Sequence, residues 1–126
     1  MFGKLLLVSA CVVGMVGVAR AETWRMAPEL VDQWSLFTCK ASLPGRFWEF
    51  TLDGSRLTAN GPDGVTWTTP VDAHGSFKVN FIGYFGEREQ RYAVEMTGNV
   101  QADPKWALLH NIDYQCWYHL MPLPGF

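Results

Sequence analysis

The chain has no basic run. Ten Lys and Arg stand against 12 Asp and Glu over 126 residues, a formal net charge of −2. Nothing in it is built to neutralise a phosphate backbone, so no nucleic-acid partner is expected. It has no Lys/Arg-rich amphipathic stretch for a membrane surface. There are only three cysteines and three histidines. Neither type falls at a metal-ligand spacing, so no metal and no cofactor is expected. There is no GxSxG, no phosphate loop and no Ser-His-Asp motif. No segment sustains a helical period, no long repeat recurs and no tract is of low complexity. The one long apolar run, Leu5 to Ala19, is shorter than the ~20 residues a spanning helix needs.

That run follows the positive start Met1 to Lys4 and ends at Ala19-Arg20-Ala21, a small-x-small cleavage form. The expectation is a cleaved signal peptide over 1–21 and a single domain over 22–126. The mature chain would then carry no membrane span and be periplasmic or secreted. Cleavage leaves 105 of the 126 residues, enough for one core. Losing Lys4 and Arg20 leaves eight basic side chains against 12 acidic ones, a net of −4. All six Trp lie in the mature part. Cys11 departs with the leader, and in an oxidising compartment the remaining pair, Cys39 and Cys116, is expected to form a disulfide. That bond would tie the first strand to the last.

The stretch from Phe47 to Thr97 reads as five strands, because alternate side chains of a half-buried strand face opposite ways. Trp48, Phe50 and Leu52 share one face, then Asp53-Gly54 signals a two-residue hairpin. Such a loop pairs Leu52 with Ser55, Phe50 with Leu57 and Trp48 with Ala59, and the apolar set switches to odd numbers as required. The turn at 62–64, opened by Pro62 and closed by Gly64, pairs Ala59 with Trp67 and Leu57 with Thr69. A like turn with Gly75 left-handed pairs Val71 with Phe77, Thr69 with Val79 and Trp67 with Phe81. A longer loop from Gly83 to Gln90 sets Phe81 opposite Tyr92 and Val79 opposite Val94. One inward row then runs Trp48, Ala59, Trp67, Phe81, Tyr92. The outward set, including Glu49, Arg56, Thr58, Thr66, Lys78, Asn80 and Glu95, is polar, unlike the lipid-facing band of an outer-membrane barrel.

Around this centre, Pro28 to Asp32 suggests one helical turn and Trp34 to Cys39 a first strand. Gly98-Asn99 begins a connection, Trp106 to Asn111 is a strand, and Ile112-Asp113 is a bend. Tyr114, Cys116, Tyr118 and Leu120 face inward on a last strand that Pro122 ends. Seven or eight short strands joined by tight turns predict an all-β fold. We expect a small antiparallel up-and-down meander barrel, with a two-sheet sandwich as the alternative.

Function is less legible. His74 reads as a turn residue and His119 as an outward strand residue, while His110 is open between strand end and core. Asp53, Asp63 and Asp72 each have a turn to hold. The expectation is therefore a non-enzymatic exported binding module. Its ligand is a small apolar molecule within an aromatic interior of Trp48, Trp67 and Tyr92, or a protein gripped by the 83–89 loop through Tyr84, Phe85 and Arg88. The interior version requires those rings to stand apart around a cavity. A small periplasmic hydrolase and an envelope structural or accessory protein are the alternatives. The general layout resembles small exported barrels such as calycin-type carriers and bacterial lysozyme inhibitors. That resemblance transfers no residue role.

Overall fold

The structure, a computed structural model, describes residues 21–31, 39, 47–85 and 90–124, with the side chains of 63, 84, 85 and 90 left aside. Of the expected leader over 1–21, residues 1–20 lie outside the described residues. Eight strands occur among them: β1 (Glu22–Leu30), β2 (Trp48–Asp53), β3 (Arg56–Asn60), β4 (Thr66–Pro70), β5 (Ser76–Phe85), β6 (Gln90–Asn99), β7 (Trp106–Asn111) and β8 (Cys116–Pro122). They form one antiparallel sheet in the order β4-β3-β2-β1-β8-β7-β6-β5. The sheet curls into a nearly closed barrel, the meander expected from the turns. Among the described residues no helix is long and apolar enough to cross a membrane.

The wall closes at the chain ends and parts in the middle. β1 and β8 form a ladder, with Pro28 opposite Leu120. Pro28 is tolerated because it lies past Met26, the last β1 residue paired with β2, so no ladder bond there needs its missing N–H. The open line is the seam between β4 and β5. The expected pairing of Val71, Thr69 and Trp67 with Phe77, Val79 and Phe81 is not made as a backbone ladder. The corner explains why. Val71 N–H donates to Ser55 O on the β2–β3 side, and Val100 N–H donates to Gly75 O on the β6 side. Pro70 ends β4 with no N–H to offer. The two limbs are joined at the turn itself, where Asp72 N–H donates to Ser76 O, and beyond it they are fastened to opposite neighbours. Gly75 does adopt the expected left-handed conformation, φ +89°.

Two of the other turns shift the register by two, which leaves the apolar residues of the paired strands on their expected face. Leu52 pairs with Leu57 and Phe50 with Ala59, so the loop is Gly54-Ser55 rather than Asp53-Gly54. Only Gly54 has positive φ, which is what a type II′ turn asks of its first corner. The β3–β4 register is as expected, Ala59 opposite Trp67, over a 3-10 turn at Pro62–Gly64. In the long hairpin Phe81 faces Val94 and Gly83 faces Tyr92, not Phe81 facing Tyr92. The strands run on to Phe85 and Gln90 because Gly83 is covered by the Tyr92 ring, which a Cβ there would meet at 2.7 Å. Gly98 likewise belongs to β6, not to a connection, and lies under the Phe77 ring.

The flanks bring two corrections. The segment from Glu22 is a strand, not a polar lead-in to a helical turn. Its Trp24 and Met26 are buried, and neighbours on both sides outweigh one isolated turn of helix. Tyr114 sits exposed in the turn before β8, where Gln115 takes φ 56°, so the inward set begins at Cys116. The expected strand over 34–39 falls outside the described residues except for Cys39. Cys39 is fully buried and bonded to Cys116, with Cα atoms 5.6 Å apart. The bridge therefore fastens the segment between β1 and β2 to the last strand.

Outside, a polar lace follows the register: Thr58 to Thr68 at 3.1 Å, Arg25 to Glu49 at 3.6 Å and Lys78 to Glu95 at 3.2 Å. Inside, the core is lopsided. Val94, Met96, Ala107, Leu109 and Leu120 make an aliphatic half on β6 to β8. The large rings gather on β1 to β5, beside the seam.

Candidate functional site

The inward ring at the seam follows from parity. Trp67 on β4, Phe77 and Phe81 on β5, and Trp48 and Phe50 on β2 all point into the barrel. Their centroids lie close: Trp48–Phe81 5.5 Å, Trp67–Phe77 5.8 Å, Trp67–Phe81 6.0 Å and Trp48–Trp67 6.3 Å. Trp24 stacks on Phe50 at 5.7 Å and 11°. Such pairs add about 0.5–1.5 kcal/mol each beyond their buried area. Trp48 and Trp67 are therefore brought together, in mutual contact rather than around a hollow. Tyr92 is not with them. It sits over Gly83 and packs on Tyr114 at 6.0 Å.

Two inward side chains at the seam, Val79 and Phe81, are only partly buried. Across the seam Phe81 meets Trp67 by ring contact without a backbone ladder, so the aromatic cluster is partly exposed here. Elsewhere around the barrel an opening breaks ladder hydrogen bonds. At the seam it separates side chains.

A second property was not foreseen. The indole N–H groups of Trp24, Trp48 and Trp67 are buried and have no hydrogen-bond partner among the described residues. The three residues are 7, 3 and 7 % exposed. An unsatisfied buried donor costs about 1–3 kcal/mol. Three such groups weigh heavily against the ~5–15 kcal/mol that holds a domain of this size together. The buried polar or charged residues among those described are Thr69 and Asn111 alone, and the Asn111 Oδ1 is taken by Tyr114 N–H, so the interior near the rings presents indole donors, the Thr69 hydroxyl and no charge. The signal was present in the parity: the inward residues named from the turns are nearly all apolar, with side-chain acceptors on Ser55, Thr69 and Tyr92 only. Trp24 was out of reach because its strand was read as a polar lead-in.

The remaining candidates scatter. Tyr84 and Phe85 end β5 opposite Arg91 and Gln90. Their side chains, and Arg88 altogether, lie outside the described residues. Nearby apolar side chains are exposed at the same end of the barrel: Ile82 at 46 %, Ile112 at 39 % and Tyr114 at 36 %. His74 is an exposed turn residue whose N–H donates to Asp72 Oδ1 at 2.9 Å. The N–H of Ser76 first, then that of His74, hold the Asp72 carboxyl below its usual range. His110 is half-buried on the outer face, stacked on Trp117 at 3.5 Å and 7°. His119 lies outward on β8 between Leu108 and Glu29. Among the described residues no three His, Cys, Asp or Glu side chains are grouped to hold a metal ion.

No protein-family model, curated protein or solved structure matches this chain. The reading of the site therefore rests on its geometry.

Proposed function

We propose that this chain is a non-enzymatic, exported binding module whose ligand is a small, largely apolar molecule held at the β4–β5 seam. The observation that carries the reading is the partial exposure of inward Val79 and Phe81, where the aromatic cluster meets a wall without a backbone ladder. The Trp and Phe rings there touch, so a ligand wedges between the limbs instead of filling a ready hollow. Parting them breaks ring contacts worth about 1 kcal/mol each, which contacts to the ligand replace. The Cys39–Cys116 bond is compatible with an oxidising, exported location.

The test is a titration of the oxidised protein with N-phenylnaphthylamine, whose emission rises in apolar surroundings. Saturable enhancement with quenching of Trp emission is the expected result. Phe81→Ala should weaken binding about tenfold, the equivalent of ~1.4 kcal/mol of lost ring contact. A linear, unsaturable response ends the reading.

A second reading, a protein partner gripped at the β5–β6 hairpin, is favoured by the exposed Ile82, Ile112 and Tyr114 beside Tyr84 and Phe85. Its mark is loss of partner capture in Phe85→Ala with stability unchanged.

A further inference from the structure

We infer that the seam site takes a neutral ligand with an apolar body and hydrogen-bond-accepting oxygens, an ester or ketone rather than a hydrocarbon, an acid or a sugar, and that Trp48 and Trp67 donate to those oxygens. The inference rests on the seam being a ligand site and specifies what enters it.

Trp48 and Trp67 each carry a buried indole N–H without a partner among the described residues. Both rings touch Phe81, the half-exposed ring at the seam, so both stand where a ligand would wedge. Indole is a donor only, so what completes it is an acceptor. A sugar hydroxyl can accept from an indole, but each brings a proton of its own, and on the two seam strands Thr69 is the one buried polar side chain among the described residues to receive it, so a ligand of many hydroxyls goes largely unmet. A carboxylate brings a charge, and no buried cationic side chain lies among the described residues to meet it. A plain hydrocarbon matches the rings but leaves both N–H groups as they are. A neutral carbonyl or ester oxygen on an apolar chain meets each requirement at once. Trp24, whose N–H is also unpartnered, is stacked behind Phe50 and stands one ring back from the seam.

The experiment uses the full oxidised chain with nitrogen-labelled indoles, titrated separately with methyl octanoate, octane and octanoate. Trp48→Phe and Trp67→Phe assign the two resonances, and either variant suffices should the other fail to fold. The expected result is about tenfold tighter binding of methyl octanoate than of octane, with both indole proton resonances moving downfield for the ester alone. Trp48→Phe, which keeps a ring but no N–H, should cut that preference to about threefold, since Trp67 still donates. Equal binding of ester and octane with unmoved indoles overturns the inference and leaves the seam reading standing. Tightest binding by octanoate overturns the neutral class. Binding of none of the three removes the seam reading, and the inference with it.

Discussion

Two glycines under aromatic rings give a paired test of the register. A Cβ at Gly83 would come within 2.7 Å of the Tyr92 ring and meets nothing else nearer than that ring. A Cβ at Gly98 would come within 2.7 Å of the Phe77 ring and 2.5 Å of the Trp106 carbonyl oxygen. The difference decides the outcome. Tyr92 is partly exposed and can tilt away, so Gly83→Ala is offset by the ~0.4–1 kcal/mol that losing a flexible residue from the unfolded chain contributes. Its net effect should fall within about 1 kcal/mol of zero. At Gly98 the obstacle is the backbone of β7, paired on the other side, and Phe77 is buried. Overpacking against fixed atoms costs about 1–3 kcal/mol, and the upper end applies here. Urea unfolding followed by Trp emission should show Gly98→Ala lowering the midpoint clearly and Gly83→Ala hardly at all, with equal slopes. Equal losses in both would refute the argument that fixed backbone, rather than the covering ring, sets the penalty.

Three further outcomes are expected. Replacing both Cys39 and Cys116 with Ala opens a loop of sequence separation 77 and should lower stability by about 4–5 kcal/mol on the chain-entropy account, read as a lower urea midpoint against the oxidised parent. A loss under ~1 kcal/mol would contradict it. Asp72, held ionised by the Ser76 and His74 N–H groups, should titrate below the ordinary carboxylate value of about 3.9. Its support for the corner is complete above that value and is lost as pH falls through its own lower pKa, so the protection of the Ser76 amide relative to its intrinsic exchange rate should fall there, and should show no such step in Asp72→Asn. If the partner reading holds, Ile112→Asp should abolish capture together with Phe85→Ala while probe binding at the seam is kept.

Most of the wall was readable because parity survives a slip of two. Trp48, Phe50, Leu57, Ala59 and Trp67 face inward whether the first hairpin turns at Asp53-Gly54 or at Gly54-Ser55. Which of the two occurs depends on one backbone angle that Asp and Gly both tolerate. The place of Tyr92 was lost for a like reason: a glycine inside a strand reads as a loop until its covering ring is known. The seam was invisible because Asp72 to Ser76 is a bonded hairpin turn, as read, and the bonds with Ser55 and Val100 that draw its limbs to other neighbours come from positions distant in sequence. β1 escaped because Pro28 suggests a helix start, whereas the ladder with β8 is a contact across ninety residues that no local pattern encodes. Of the candidate ligand residues, Trp48 and Trp67 share the inward face as read, but they touch, where a ready interior cavity needed them apart. Their unpartnered N–H groups depend on what the rest of the interior lacks.

Hydrogen exchange by mass spectrometry, with and without N-phenylnaphthylamine, bears most directly on the seam as the place of binding. In the free protein, β4 and β5 amides turned toward the seam should exchange sooner than those of β1 and β8, which are laddered on both sides. Probe should slow exchange in 66–70 and 76–85 and leave 112–116 unchanged. Slowing confined to the β5–β6 hairpin end, or equal protection of all eight strands before any probe is added, would contradict the account.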